Sequence, residues 1–395
     1  MDRVIVVGGG LAGIRSVEAL RAKGYEGALT LVSAELHRPY DRPPLSKALL
    51  VGDIDDTTFD TDWAALRCEW LPGRRATGLR LDPGGGGIVA TDGGDLPFDG
   101  LVIATGAAPI TLPGTGPQRV LRTVEDARSL RAGLREGARV VIVGAGWIGA
   151  EVATAAARRG CAVTVVEAAD TPLANAVGTL IGGRTARWYA EAGVELRTGV
   201  RVAAVEPGGL TLADGGRIDA DEVVVGVGVR PVLGWLEGSG LRLDGGVVTD
   251  ASLRASAPGV VAVGDCAAWW SRRYGRRLLV EHWDAALNGP DVAAAALLGA
   301  DAVYEAVPYF WSEQFGRMVQ YAGHHPAGER MIYRGDPDGP GWAACWLTGD
   351  RLEALLTVDR PRDLLQGRRI IATGTPVDAD SVADPGIPLR DAVLT

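Results

Sequence analysis

Gly8, Gly10 and Gly13 form a G-x-G-x-x-G triplet, and Gly144, Gly146 and Gly149 form a second, with Trp147 and Ile148 at its variable positions. Glycines at this spacing let the backbone approach a diphosphate closely and open a helix whose positive dipole end faces the anion. A dinucleotide also needs an acceptor for its ribose hydroxyls at the end of the following strand, about 20 residues on. Glu35 lies 22 residues after Gly13, and Glu167 lies 18 after Gly149. Two acids at similar offsets from two triplets point to two dinucleotides, which in one chain implies FAD together with a nicotinamide nucleotide. At the second site the Glu167 carboxylate suits the 2′-hydroxyl of NADH and repels a 2′-phosphate, so NADH is expected over NADPH.

The elements that must position these groups repeat as well. Val4-Ile5-Val6-Val7 precedes the first triplet and Val140-Val141-Ile142-Val143 the second, each followed by apolar residues at helical spacing, to Ala22 and Arg159. Second strands are expected over 28–33 and 162–166. Gly84 to Gly87 and Asp92-Gly93-Gly94 read as hairpin turns. Three further apolar runs read as buried parallel strands: Leu101 to Ile103 leading into Ala104-Thr105-Gly106, residues 221–228 ending at Gly228, and Val260 to Val263 leading into Gly264 and Asp265. Each ends in glycine, where a ligand can approach the strand's carboxyl end. A carboxylate placed there, as at Asp265, is costly unless it bonds a ligand hydroxyl. From Tyr304 the pattern turns alternating and aromatic, which suggests an antiparallel domain. The expected class is α/β, with two dinucleotide-binding, Rossmann-like domains and a small α+β C-terminal domain. The expected segments are 1–110 (FAD), 111–235 (NADH), 236–303 (FAD again) and 304–395.

Composition limits the alternatives. The 395 residues carry 40 Lys+Arg against 49 Asp+Glu, a net charge of −9, and 47% are hydrophobic, which suits two or three folded domains rather than disorder. The 56 Gly and 22 Pro follow no repeat, so a collagen-like chain is excluded. The acidic balance argues against nucleic acid or an anionic membrane as partner. No apolar run approaches the ~20 residues of a membrane helix. Met1-Asp2-Arg3 passes straight into a strand pattern without the features of a signal peptide, so a cytoplasmic protein is expected. Cys68, Cys161, Cys266 and Cys345 stand far apart, with neither metal-ligand nor vicinal-disulfide spacing, and read as reduced packing residues.

Several longer motifs carry a family likeness. Arg38-Pro39-Tyr40-Asp41-Arg42-Pro43-Pro44-Leu45-Ser46-Lys47, Ala104 to Pro109, Val229-Arg230-Pro231, Val263 to Ala267, Pro308 to Gln314 and the closing Ala383-Asp384-Pro385 together resemble the FAD-dependent ferredoxin reductases of bacterial oxygenase systems. The likeness covers nearly the whole chain. It implies a glutathione-reductase-like arrangement and transfer of electrons from NADH through FAD to a 2Fe-2S ferredoxin, and so indirectly to an oxygenase, by a monomer or weak homodimer. It further implies that Arg42 helps hold the FAD phosphates, that Lys47 lies near flavin N5, and that Asp265 accepts from the ribityl chain. By the same likeness Trp147 and Glu151 border the nicotinamide, Trp311 flanks the flavin, and Glu281, His282 and Trp283 complete the wall beside it. Lys47 opposite Glu151 makes a charge pair able to steady negative charge on the flavin. Where related disulfide reductases carry a redox cysteine pair, this chain has Asp41 to Lys47 and no cysteine, so electrons must leave from the flavin itself.

The chain departs from the pattern at Ala34, where relatives often carry an acid, at Thr171 and Asn175, where Arg is common, and at Glu313 in place of Asp. Two arginine clusters are candidates for docking an acidic ferredoxin: Arg272, Arg273, Arg276 and Arg277, which is the favoured one, and Arg360, Arg362, Arg368 and Arg369. The residues alone leave other acceptors open: O2, a quinone or another small molecule, or a slow flavin-based redox sensor with no fast acceptor.

Overall fold

The computed structural model describes residues 1–394. The chain divides into two compact units, one built from residues 1–41, 58–108 and 230–309 and the other from 42–57, 109–229 and 310 onward.

In the first unit the β-branched strand Arg3–Val7 pairs in parallel with Ala28–Val32 on one side and Gly100–Ile103 on the other, with Glu69–Leu71 and Val260–Ala262 at the two edges. The pleat sends alternate side chains to opposite faces. Val4 and Val6 enter one core with Ile14, Val17 and Leu20 of the helix Leu11–Ala22 and Ala293 and Leu297 of the helix Trp283–Leu297. Ile5 and Val7 enter a second core with Ile103, Val89 and Trp235. A strand covered on both faces must be apolar throughout, which is why these runs read as continuous Val and Ile. The glycine turns at 84–87 and 92–94 join the antiparallel strands Ala76–Leu81, Gly87–Thr91 and Leu96–Phe98.

The second unit repeats the plan. Arg139–Val143 lies between parallel strands Ala162–Val166 and Glu222–Val225, with Glu195–Arg197 beyond. Val140 and Ile142 pack with Val152, Ala153 and Ala156 of the helix Trp147–Arg158, while Val141 and Val143 face Val205, Leu210 and Ile218. The C-terminal sheet runs in the order Tyr309–Gln314, Arg317–Gly323, Arg351–Val358, Trp342–Thr348 and Arg330–Arg334, and its inner pairs are antiparallel. The architecture is therefore α/β, with two Rossmann-like parallel sheets and an α+β C-terminal region. Residues 42–57, which carry Lys47, group with the second unit. Tyr304 packs on Trp269 in the first unit, and the strand of the aromatic region starts at Tyr309.

One buried ion pair ties the C-terminal tail down. Arg334, 1% exposed, donates to Asp363 of the helix Pro361–Thr373 at 3.0 and 3.3 Å. Its remaining donors reach the carbonyls of Val382 at 3.0 Å and Ile387 at 2.6 Å. Truncation would leave Asp363 buried with only Arg360 against it, together with orphaned carbonyls. Arg334→Ala is expected to cost about 3–5 kcal/mol, measured as a shift in the urea unfolding midpoint; a loss under 1 kcal/mol would rule out this account.

Candidate functional site

The two glycine triplets adopt the same local geometry. Gly8 has φ +122° and Gly144 φ +103°, conformations that an L side chain rarely takes, and each donates its N–H to the end of the next strand, Val32 and Val166, at 2.8 Å. A Cβ on Gly8 would lie 2.1 Å from the Ala104 carbonyl oxygen, and one on Gly144 2.4 Å from that of Gly226. The third glycines close each turn: a Cβ on Gly13 would lie 1.8 Å from Gly8 O, and one on Gly149 1.9 Å from Gly144 O. Gly10 and Gly146 are the N-caps of 12-residue helices, and neither helix start is capped by a side chain. A Cβ on Gly146 would meet nothing within 4 Å. Bare helix N–H groups opening onto space are what a pyrophosphate requires.

The acids at the ends of the second strands are held in place. Glu35 accepts from the hydroxyl of Tyr40, and its backbone is latched by Ser33 Oγ at 3.0 and 3.2 Å. Glu167 accepts from the backbone N–H of Ala145, inside the second triplet, at 2.7 Å, and from that of Ala169 at 2.8 Å. Its carboxylate is thus already bonded to the glycine turn whose ligand it was expected to meet. In the first unit Thr105 Oγ1 donates to Val232 O at 2.9 Å, and Ala104 donates its backbone N–H to Val7 O at 2.8 Å. Asp265 is half-buried after Gly264, and His282 caps the helix that Trp283 begins. Burial pushes the His282 imidazole down to about 4, against the pull of the Asp265 carboxylate, so the ring is neutral at pH 7. The Trp283 indole donates to Asp41 Oδ1 at 2.7 Å. Glu281 is exposed beside them.

In the second unit Lys47 and Glu151 do meet. Lys47 Nζ lies 2.8 Å from Glu151 Oε2, with side chains only 14% and 3% exposed. Ser46 Oγ donates to the same carboxylate oxygen, and Ser312 Oγ donates to Oε1 at 2.6 Å. Ser312 in turn accepts from Gln314 Nε2 at 3.1 Å. The strand that carries Ser312 runs along one face of the helix that carries Glu151: Phe310 meets the Trp147 ring at 4.6 Å, and the Phe315 N–H bonds Thr154 Oγ1 at 2.9 Å. Positions 147, 151 and 154 form one helix face. Alternation along the strand puts Trp311 and Glu313 on the opposite side from Ser312. Arg42 donates to the Arg122 carbonyl, and Ile148 and Val227 are exposed apolar residues, at 43% and 39%. Gly228 has φ +117°, and its carbonyl accepts from Ile110 N–H at 3.0 Å.

Of the arginine clusters, Arg272 and Arg276 are exposed, while Arg277 donates to the carbonyls of Thr249 and Ala268 at 2.6 and 3.0 Å. Arg360 pairs with Asp363, and Arg362 and Arg369 are exposed. All four cysteines are free thiols, and burial pushes each up, Cys68 to about 11 and Cys345 to about 12. They are packing residues, not a redox pair. Among the described residues no cluster suits a metal ion, and no helix is long and apolar enough to cross a membrane.

Residues 2–290 match the family described as pyridine nucleotide-disulphide oxidoreductase, and residues 309–393 match the reductase C-terminal family. The chain belongs to the pyridine nucleotide-disulphide oxidoreductases. The ferredoxin--NAD(+) reductase component of the anthranilate 1,2-dioxygenase system of Burkholderia cepacia is 38% identical, over 98% of this chain and 98% of its own. The crystal structure of Fdr9 is similar with a TM-score of 0.94 and 49% identity, covering 98% of this chain and 99% of that one. Putidaredoxin reductase, solved in a covalent complex with putidaredoxin, has a TM-score of 0.94 and 33% identity, covering 99% and 98%. Within the oxidoreductase family this chain thus falls among the FAD-dependent reductases of oxygenase systems, as its motifs implied.

The cofactors of this oxidoreductase are FAD and NADH, and both glycine turns fit a dinucleotide by their close approaches and uncapped helix starts. Sequence reasoning missed Gly226, Ser46, Ser312 and Gln314. Gly226 had a signal, since it follows its strand as Ala104 follows Gly100–Ile103; the polar three lie within the family motifs, but nothing there points to Glu151, which is 105 residues from Ser46 and 161 from Ser312. Gly149→Ala must push the second turn open while leaving the first unit untouched. The expected product is a yellow protein with normal dithionite reduction and an NADH-driven reduction rate about 100-fold lower; a normal rate in stopped flow would show that the turn does not seat NADH.

Proposed function

We propose that this chain is an NADH-dependent flavoprotein reductase that passes electrons through FAD to a 2Fe-2S ferredoxin serving an oxygenase. Bound FAD would supply the chemistry, taking a hydride from NADH and releasing its two electrons singly. The observation that carries the reading is the pair of like nucleotide turns in a chain that conceals the charge pair Lys47 and Glu151 and whose thiols are all isolated. Relatives named as ferredoxin reductases, one of them seen with its ferredoxin-type partner, favour a ferredoxin over O2 or a quinone.

In this reading residues 1–110 and 236–303 hold FAD, 111–235 hold NADH, and 304–395 form the C-terminal domain. Gly8, Gly10, Gly13 and Glu35 seat the FAD adenosine and pyrophosphate. Asp265 accepts from its ribityl hydroxyls, and Ala104, Thr105, Gly106, Glu281, His282 and Trp283 line its path. Arg42 steadies the phosphates, Lys47 presents its ammonium to the flavin, and Trp311 shields the ring from water. Gly144, Gly146, Trp147, Ile148, Gly149 and Gly228 border NADH, with Glu151 holding Lys47 in place. Glu167 accepts from the ribose with the lone pairs left beyond its two backbone bonds. The exposed Arg272 and Arg276, beside Trp270 at 42% exposure, offer the patch for an acidic ferredoxin. The reductase works in the cytoplasm.

Two measurements test this reading. NADH should be the better donor in kcat/KM, and Glu167→Ala should lose about 1.5–3 kcal/mol of NADH binding, the worth of a charge-assisted hydrogen bond; a wild-type enzyme indifferent between NADH and NADPH contradicts it. With a ferredoxin as acceptor, reversing Arg272 and Arg276 to Glu should raise its KM and flatten the salt dependence, as screening at ~8 Å predicts. Ferricyanide reduction should be unchanged. A flat wild-type salt profile, with O2 as fast an acceptor as any ferredoxin, points instead to an oxidase.

A further inference from the structure

We propose that Ser312 is a positioning residue for this reductase: by bonding Glu151 Oε1 it determines how much of the Lys47 ammonium remains for the bound flavin. The inference rests on the proposed function, in which Lys47 faces FAD.

A carboxylate as buried as Glu151 is tolerated only when its oxygens are supplied with donors. Oε2 has two, the Ser46 hydroxyl and Lys47 Nζ, whereas Oε1 has Ser312 alone, at 2.6 Å. The direction of that last bond is fixed from behind. Gln314 Nε2 donates to Ser312 Oγ at 3.1 Å, so the amide occupies a lone pair of the hydroxyl and its single proton is left for Glu151. An ammonium has three N–H donors. Lys47 gives one to Glu151 and one to the Pro43 carbonyl at 3.3 Å, and the third has no acceptor among the described residues. That third donor, and the charge behind it, is what Lys47 can offer a ligand. Without the Ser312 hydroxyl, Oε1 would be a buried oxygen short of a donor, and the mobile cation beside it is Lys47. The ammonium would swing to straddle both oxygens and withdraw from the ligand. Ser312 therefore keeps the Lys47–Glu151 pair from closing on itself. It belongs to the part of the chain that matches the reductase C-terminal family, so that region contributes to the electron-accepting site through a side chain.

The test uses the full chain loaded with FAD, in wild-type form and as Ser312→Ala, Ser312→Thr and Gln314→Met. The readouts are the flavin midpoint potential, the limiting rate of FAD reduction by NADH, and the NADH concentration giving half that rate. Ser312→Ala is expected to slow the limiting rate about tenfold, as loss of one hydrogen bond to a charged group implies. Its half-saturating NADH should stay within about twofold, since the hydrogen bonds of Ser312 go to Glu151 and Gln314 and not to the glycines of the second turn. The potential should fall by about 30 mV, a tenfold change in a two-electron equilibrium. Ser312→Thr, which keeps the hydroxyl, should restore both values, and Gln314→Met, which frees the hydroxyl to turn away, should fall between. An alanine variant with FAD bound and wild-type potential and rate overturns the proposal, as does a threonine variant as impaired as alanine, which would mark packing rather than the hydroxyl. A wild-type chain that takes up no FAD instead overturns the functional reading itself.

Discussion

A helix that begins with bare backbone N–H groups is the constraint around which both units are built. The four leading N–H groups of a helix need partners, and a side-chain cap is the ordinary solution. The helices Leu11–Ala22 and Trp147–Arg158 have glycine at that position and no such cap. The geometry of the turn is then forced. The chain must pass from strand to helix within a few residues, so Gly8 and Gly144 take positive φ, and the turn is tight enough that Gly13 and Gly149 touch its own carbonyls. The turn must also be braced from the neighbouring strands, which is why Ala104 and Gly226 stand where they do. The acids complete the frame: Glu167 is latched directly to the glycine turn through Ala145 N–H, so the group suited to ribose also stiffens the cradle.

The second unit adds a buried charge to this frame. Placing Glu151 on the helix that follows the second glycine turn, four residues after Trp147, turns one face of that helix inward, and that face meets a strand from the far end of the chain. The cost of concealing the carboxylate is offset by Lys47 and by hydroxyls from Ser46 and Ser312. Such a cluster is specific in direction. Its donors converge from two separate segments on the two oxygens of one carboxylate, which fixes where the Lys47 ammonium lies beside it. The same logic appears in the Arg334–Asp363 pair, where the guanidinium also bonds backbone carbonyls and the effect is to anchor the C-terminal tail.

By itself the sequence determined what depends on neighbours along the chain. Glycine spacing, β-branched runs and the acids after the second strands are local, because a strand-turn-helix-strand unit is settled within about 35 residues; the α/β class, both turns and the placing of Glu35 and Glu167 just past the strands Ala28–Val32 and Ala162–Val166 were legible for that reason. The motif from Arg38 to Lys47 and its kin supplied the family. Tertiary structure alone decided which residues share a site across long separations. No spacing reveals that Ser312 and Gln314 stand behind Glu151, because a polar residue on a half-buried strand has no distinctive pattern until its partner is known. The same holds for which arginines are exposed: Arg276 and Arg277 are adjacent in sequence, yet the pleat leaves one exposed and sends the other to two backbone carbonyls. Sequence could name the charges and the turns, whereas folding assigned each polar group its partner, because burial makes an unsatisfied donor or acceptor too costly to leave alone.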